Sequence, residues 1–236
     1  MSKKPYAQQK EARQKNISLL LRDIWRYAPL SKSMLAERNG LTKATVSSIC
    51  RDLEAQGLIC DAGQDRTGLG RPGDLIELNP SAYCSIGLEI STNYVGSILY
   101  NLCGQPLWES STPLEIGSSQ EVVLSVVKVM IGEAIRQAQT RNIPLLGVGV
   151  GVPGVVNHRV NAPALSWKEV PLKEILEQHF NIPVIVDNKA RAAAMAEALY
   201  GGARDAESFI YISMGTDVRS SVEAAVVTDG ILYRGV

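Results

Sequence analysis

The segment SKSMLAERNGLTKATVSSICRDL, residues 31–53, decides the fold of the front of the chain. It opens with a serine suited to cap a short helix at 32–38. Asn39 and Gly40 then supply residues that tolerate the left-handed turn at a helix end, and Thr42 is suited to cap a second helix. The second helix has one apolar stripe, formed by Val46, Ile49, Cys50 and Leu53. Two helices joined by so tight a turn predict a helix-turn-helix.

The flanking sequence predicts the other parts of a winged helix. Before the segment, apolar residues at helical spacing predict an amphipathic helix that ends near Pro29, whereas residues 1–12 are expected to be irregular. Met34 and Leu35 are expected to point into the same core. After the segment, a glycine-rich loop at 63–73 separates two short strands and predicts a β-hairpin wing. We therefore predict a winged helix-turn-helix domain over residues 13–79.

One face of the second helix is predicted to contact nucleic acid. With the apolar stripe buried, a rotation of about 100° per residue turns small and hydroxyl side chains outwards. Hydroxyls and guanidinium groups bind phosphates and base edges. The predicted DNA contacts are Thr42, Lys43, Thr45, Ser47, Ser48 and Arg51 on the helix, and Arg66 and Arg71 in the wing. The alternative is a helical bundle whose polar face is only solvated.

The distribution of charge favours the DNA-binding interpretation. The whole chain of 236 residues carries 24 Lys or Arg and 24 Asp or Glu, so its formal net charge is zero. Residues 1–75, however, have a net charge of +5, and the remainder has −5. A basic front joined to an acidic body is typical of a chain whose front meets a polyanion.

Residues 80–236 predict an α/β domain. Alternating strands come first, followed by a helix opened by a capping box at 118–121, and then by strands that alternate with helices. Such an order predicts a mixed sheet flanked by helices. The sequence around Gly149 and Gly154 matches G-x-G-x-x-G, but Pro153 and an extended stretch follow instead of a helix. A strand-end loop beside a cleft is therefore favoured over a dinucleotide site.

Composition excludes several classes of protein. Hydrophobic residues make up 45% of the chain, which excludes wholesale disorder, and no apolar run reaches the ~18 residues of a membrane-spanning helix. The four cysteines lack C-x-x-C spacing, so we expect reduced thiols in a cytoplasmic protein, with neither disulfides nor a metal site.

The motifs Gly-Arg-Pro at 70–72 and Glu-Leu-Asn-Pro at 77–80, together with the stretches 147–155, 167–172 and 186–197, resemble the ROK family of bacterial sugar-responsive repressors and sugar kinases. The resemblance implies an actin/hexokinase-like (ribonuclease H-like) fold for residues 80–236. It also implies that the chain stops about halfway through the family's effector domain, before the family's zinc site, so that the domain is incomplete at its C-terminus.

The resemblance fails where the family's kinases need specific residues. Their first phosphate loop is Gly-Gly-Thr, whereas this chain has Ser91-Thr92-Asn93. Their catalytic Asn-Asp is Asn188-Lys189 here, and an ammonium group cannot replace the carboxylate that deprotonates the sugar hydroxyl. Their second phosphate loop is rich in glycine, whereas acidic and bulky residues replace glycine at 215–221 in this chain. These departures predict that the chain is not an enzyme and has no nucleotide cofactor.

The sugar site that the resemblance implies is also altered. The family's Pro-Asn-Leu-Gly-Trp loop is Pro-Ala-Leu-Ser-Trp at 163–167, which replaces a sugar-binding amide by a methyl group. The remaining candidate effector-binding residues are Asn188, Lys189, Trp167 and Gly154. Two alternatives stay open, since Trp167 could be a packing residue and Lys189 could pair with Asp187 or Glu197.

The sequence thus predicts a repressor of carbohydrate-related genes that binds an operator duplex as a homodimer. The effector would be a sugar or sugar phosphate, although constitutive DNA binding is an alternative. A sugar kinase with an appended helical domain, or a pure interaction module, are the competing interpretations.

Overall fold

A computed structural model describes residues 5–65, 73–214 and 222–234. The chain divides into two compact units, which are described separately below. The first comprises Met1–Ala82 with Leu102–Gly104, and the second comprises Tyr83–Asn101 with Gln105–Val236.

The first unit is a winged helix-turn-helix. In the part of this unit that the structure describes, three helices and a three-stranded sheet of order β1-β3-β2 enclose one apolar core. In chain order the elements are α1 (Pro5–Tyr27), β1 (Leu30–Ser31), α2 (Lys32–Asn39), α3 (Lys43–Ala55), β2 (Ile59–Asp65) and β3 (Gly73–Leu78). Strands β2 and β3 are the antiparallel hairpin predicted for the wing.

The predicted caps of the first unit are confirmed. The Ser31 hydroxyl accepts the amide of Met34 at 3.2 Å, and the Thr42 hydroxyl accepts the amide of Thr45 at 3.2 Å. Gly40 ends α2 at a φ of 61°, the left-handed conformation that favours glycine. Each cap satisfies backbone groups that a helix end leaves without a partner, so the turn between α2 and α3 is fixed locally.

Two details of the first unit differ from expectation. Residues 5–12 are helical rather than irregular, since α1 begins at Pro5; this part of the sequence has no apolar stripe that would have predicted the helix. Met34 is 41% exposed, and Leu35 and Ala36 are the residues that α2 buries. The buried face of α2 is formed by Leu35 and Ala36, and Met34, about 100° before Leu35 around the helix, lies outside that face.

The described residues of the second unit form three sheets and three α-helices. Its elements are β4 (Cys84–Ile90), β5 (Tyr94–Asn101), β6 (Pro106–Pro113), α4 (Gln120–Thr140), β7 (Leu145–Val152), β8 (Val155–Val156), β9 (Val160–Ala162), β10 (Trp167–Val170), α5 (Leu172–Phe180), β11 (Val184–Asn188), α6 (Lys189–Tyr200), β12 (Phe209–Met214), β13 (Val222–Thr228) and β14 (Ile231–Leu232). Their strand orders are β11-β7-β4-β5-β6, β10-β9-β8 and β12-β13-β14.

The five-stranded sheet forms the framework of this unit. Strands β4, β5 and β6 are an antiparallel meander, while β7 and β11 run parallel to β4. Alternate residues of β4 and β5 are buried in the main apolar core, which also contains the inner face of α4. The mixed sheet with a flanking helix confirms the predicted α/β architecture.

Helix α4 begins one residue later than the predicted capping box. Ser119, rather than Ser118, is the N-cap, and its hydroxyl accepts the amide of Val122 at 3.4 Å. A side-chain hydrogen bond with Ser119 lowers the pKa of Glu121 in the first turn of the helix. The apolar face Val123, Val127, Met130 and Ala134 is buried as predicted.

The smaller sheet β12-β13-β14 packs one face on α6. Ala194 of the helix is buried with Ala225 and Val227 of β13. The other face exposes Ile210, Ile212 and Met214 of β12. None of the described helices is long and apolar enough to cross a membrane.

Candidate DNA-binding face and ligand cleft

The outer face of α3 is the candidate DNA-binding surface. Val46, Ile49 and Cys50 are fully buried, which fixes the rotation of the helix about its axis. Thr42, Lys43 and Arg51 are exposed, and the remaining predicted contacts on this helix, Thr45, Ser47 and Ser48, are half-buried. The structure therefore places the six predicted helix residues along one accessible surface.

The start of α3 combines two hydroxyl groups with the amino-terminal end of a helix. The hydroxyls of Thr42 and Thr45 lie 2.9 Å apart and share a hydrogen bond. The first turn of a helix carries partial positive charge, and Lys43 adds a full charge beside it. This end of α3 is suited to a phosphate group.

Asp23 of α1 holds the helix-turn-helix in place. Its carboxylate accepts from the Arg38 guanidinium at 3.1 Å and from the Asn39 side-chain amide at 2.9 Å. Arg38 also lies 3.9 Å from the centre of the Tyr27 ring, a cation–π geometry. At the other side of the unit, Arg13 of α1 pairs with Asp52 of α3. Both helices of the motif are thus oriented by α1.

The predicted wing contacts lie outside the described residues. Arg66 and Arg71 belong to the segment 66–72, as does the Gly-Arg-Pro motif, and only the hairpin strands on either side are described. The altered phosphate loop at 215–221 also lies outside them.

The second unit contains a cleft of about 1040 Å³. Its floor is the face of the five-stranded sheet opposite α4, where Gly87, Gly96, Gly149 and Gly151 provide a surface without side chains. Its walls carry polar, aromatic and small apolar groups, contributed chiefly by Glu89, Tyr94, Tyr100, Asp187, Lys189 and Tyr211. Carboxylate, ammonium and phenol groups around a concave floor can hydrogen-bond a small polyhydroxylated molecule.

Lys189 lies on the cleft wall and faces Glu89. Its ammonium nitrogen is 3.9 Å from the Glu89 carboxylate, so its partner is neither of the two acids expected, Asp187 or Glu197. Burial raises the pKa of Tyr94 to about 12, and a hydrogen bond to Glu89 contributes to that shift. Glu89 therefore joins an ammonium and a phenol at the end of β4.

Both polar atoms of the Asn188 side chain form hydrogen bonds with the backbone. Its Oδ1 accepts the amides of Ala190 and Arg191, at 2.8 and 3.1 Å, and caps α6. Its Nδ2 donates to the carbonyl oxygen of Gly154 at 2.9 Å. Gly154 has a φ of 90°, and a Cβ there would lie 2.3 Å from the Asn161 carbonyl oxygen. Neither residue lines the cleft, in contrast to Lys189.

Trp167 is packed in the core of the second unit. It is 3% exposed and begins β10, where it pairs with Ala162 of β9. Its indole does not line the cleft. Of the two interpretations left open for this residue, the packing role describes its position.

The Gly149–Gly154 stretch forms the end of β7 and the loop after it, as the strand-end interpretation predicted. Strand β7 runs through Val152, and β8 begins at Val155, so no helix opens after the third glycine. Gly151 lies on the cleft floor, while the amide of Gly154 donates to Glu223 of β13 at 3.3 Å. This geometry excludes a dinucleotide-binding turn at this position.

Sequence reasoning missed Glu89 and the cleft tyrosines. The signal was the alternation of β4 and β5, in which every second residue is core and the rest, Gly87, Glu89, Tyr94 and Tyr100, face the other way. Among the described residues, no three His, Cys, Asp or Glu side chains are grouped as a metal site.

The fold and these sites define a class: a winged helix-turn-helix unit followed by an actin/hexokinase-like unit. The chain belongs to the ROK family, whose model matches residues 85–236. Residues 26–66 match the model of the MarR family.

Known proteins of both kinds in the family are similar to this chain. The xylose repressor of Bacillus subtilis is 31% identical over 224 residues, which are 94% of this chain and 57% of the repressor. A ROK family transcriptional regulator, a homolog of the E. coli MLC protein, matches with a TM-score of 0.76 and 24% identity over 95% of this chain and 57% of that one. A ROK family glucokinase from Streptomyces griseus, in complex with glucose and AMPPNP, has a TM-score of 0.56 and 24% identity, over 64% of this chain and 46% of the kinase.

The two structural likenesses show the fold alone. The chain spans about half the length of the curated relatives it matches.

Proposed function

We propose that this protein is a DNA-binding transcriptional repressor of carbohydrate-related genes. The observation that carries the proposal is the position of α3, which buries one apolar stripe and presents Thr42, Lys43 and Arg51 on its outer face. A helix with small side chains at its centre can enter a major groove, where Arg can bind guanine through two hydrogen bonds. The repressor names of its relatives support the same assignment.

The regulator is proposed to act in the cytoplasm as a homodimer on a palindromic operator. Paired recognition helices of a twofold dimer contact half-sites one helical turn apart, about 34–36 Å. Arg66 and Arg71 of the wing are proposed to contact the DNA backbone or the minor groove.

The cleft is proposed to bind the effector, a sugar or sugar phosphate. Lys189, Glu89 and Asp187 offer charged hydrogen-bonding groups beside the tyrosine rings. Gly154, Asn188 and Trp167 are proposed to act indirectly, by shaping the turn and the core next to the cleft. An effector releases DNA only if it binds the DNA-free arrangement more tightly than the DNA-bound one.

Selection of bound duplexes from a random library tests the function directly and yields the operator. The expected result is an enriched palindrome whose binding weakens steeply with salt, because Lys and Arg contacts to phosphates release counterions. Recovery of unenriched sequences would contradict the proposal. Calorimetric titration with xylose, glucose and N-acetylglucosamine then distinguishes an effector-controlled repressor from a constitutive one.

A sugar kinase is the second candidate, because a kinase of the family shares the fold. Lys189 disfavours kinase activity, since an ammonium group paired with Glu89 cannot accept the proton of a sugar hydroxyl. Ser91 is 8% exposed and occupies a position where the family's kinases have glycine. We expect no turnover in a coupled assay with ATP and any of the three sugars, and measurable turnover would favour the kinase.

A further inference from the structure

Helix α4 exposes two valines on the side away from its core. Val129 is 66% exposed and Val122 is 50% exposed, although the inner face of the same helix is fully buried. They are seven residues apart, so they lie almost above one another on the helix surface. Single exposed apolar residues are ordinary, but these two lie on one line of the helix at heptad spacing, and we call that line the seam.

The seam continues with small residues. Ser125 lies three residues after Val122, and Gly132 lies three residues after Val129, which is the spacing of alternating a and d positions in a heptad. A Cβ added at Gly132 would meet no atom within 4 Å. A second helix can therefore approach α4 closely here, with the two valines at its a positions.

The charges beside the seam indicate that the second helix is α4 of another copy of the chain. In this heptad Lys128 occupies a g position and Glu133 an e position. In a parallel dimer, a g residue of one helix faces the e residue five positions later on the other. Lys128 of each copy would thus face Glu133 of the other, and the symmetry forms the pair twice.

Glu133 remains able to accept this contact. Hydrogen bonds from Arg136 and Gln137 of its own helix lower the pKa of Glu133, so it is a carboxylate at neutral pH. A carboxylate has about four acceptor positions, of which the two intrahelical contacts use part.

We propose that the surface formed by Val122, Ser125, Val129 and Gly132, flanked by Lys128 and Glu133, is a twofold interface with a second copy of this chain. The two α4 helices run parallel in that interface. The inference rests on the proposed function, because it supplies the surface for the dimer that a palindromic operator requires.

Sedimentation of the full chain and its variants at several concentrations tests the interface. Val129→Glu places an unpaired charge in the seam and is expected to raise the dimer dissociation constant at least about 100-fold. Val155→Glu is the matched control, since Val155 is 58% exposed in β8 of the same unit, and it should leave the constant unchanged.

Charge exchange tests the register. Lys128→Glu and Glu133→Lys should each weaken the dimer about tenfold, because each places like charges opposite one another twice. The double variant should restore the original constant. A dimer that resists Val129→Glu but dissociates with Ile212→Glu on β12, a failure of the double exchange to rescue, or a chain that stays monomeric would each overturn the assignment.

Binding to a single half-site separates failure of this interface from failure of the proposed function. A monomeric Val129→Glu variant should bind one half-site as the unaltered chain does and lose the advantage of the full palindrome. If the assigned interface is wrong, half-site and palindrome binding both persist in that variant. If the proposed function is wrong, the unaltered chain binds neither duplex.

Discussion

The side-chain amide of Asn188 donates to the carbonyl oxygen of Gly154 at 2.9 Å, and this bond ties the start of α6 to the turn between β7 and β8. The same side chain caps α6, so one residue fixes two backbone segments next to the cleft. Lys189 follows directly and is thereby positioned towards Glu89. An asparagine that the resemblance assigns to sugar binding thus has a structural role in this chain.

Two replacements of Asn188 should separate the contributions of its helix cap and of its bond to Gly154 to the free energy of unfolding. Asn188→Ala loses the cap and the bond to Gly154, and we expect a loss of about 2 kcal/mol in the free energy of unfolding. Asn188→Ser retains a capping hydroxyl but cannot reach Gly154, so its loss should be about 1 kcal/mol. Urea denaturation followed by tryptophan fluorescence measures both. Equal losses for the two variants would contradict the double role.

Removal of Arg51 should weaken DNA binding. Its side chain is exposed on the outer face of α3, and we expect a loss of about 1–3 kcal/mol with relaxed sequence preference if it reads a base. Arg22→Ala on α1 is the control, because it removes the same charge from an exposed position outside the helix-turn-helix. A gel-shift titration in which both variants bind like the unaltered chain would remove Arg51 from the contact surface.

Two glycines of β7 should respond oppositely to alanine. A Cβ at Gly147 would lie 2.7 Å from the Pro183 carbonyl oxygen, which also accepts the amide of Val148. Gly147→Ala must therefore disturb the chain beside β7 and should cost about 1–3 kcal/mol. At Gly149 the nearest atom is 4.0 Å away, and alanine there should be neutral or slightly stabilising. Thermal unfolding compares them, and similar melting temperatures would contradict the close approach.

The phenol of Tyr94 should lose its proton at a higher pH than an ordinary tyrosine does. Burial and the hydrogen bond to Glu89 raise its pKa to about 12, so the neutral phenol is favoured in the folded state. Its stabilising contribution is complete below pH 10 and is lost as the pH rises towards 12. Glu89→Gln removes the charged acceptor and should lower the midpoint.

Absorbance at the phenolate band, with Tyr94→Phe subtracted, isolates this titration. Circular dichroism over the same pH range checks that the chain stays folded. A midpoint near 10 in the unaltered protein, or one that Glu89→Gln does not move, would contradict the Tyr94–Glu89 contact.

The winged helix could be predicted from sequence because its determinants are local. Ser31, Gly40 and Thr42 act within one turn of the chain, and the apolar stripe of α3 has a single periodicity. The position of Met34 could not be predicted, since α2 is too short for its pattern to fix a face. The first turns of α1 could not be predicted, because residues 5–12 have no apolar residues at helical spacing.

The cleft was less predictable because its residues meet only through the sheet. Glu89 and Lys189 are 100 positions apart in sequence, and they face one another because β4, β7 and β11 are neighbours in register. Strand β9 was also missed, since a three-residue strand carries no periodicity, and helix α5 was not predicted either. The prediction that Lys189 pairs with Asp187 or Glu197 was wrong, because both are acids close to Lys189 in sequence, whereas Glu89 is brought to Lys189 only by the pairing of the strands.

The most direct test is fluorescence anisotropy with the selected operator and a scrambled duplex, measured from low to physiological salt. The account predicts selective binding whose logarithm falls linearly with the logarithm of salt, with a slope that corresponds to several phosphate contacts. Lys43→Ala should reduce that slope by about one. Failure to bind any duplex at the lowest salt concentration, with the chain folded, would contradict the central claim.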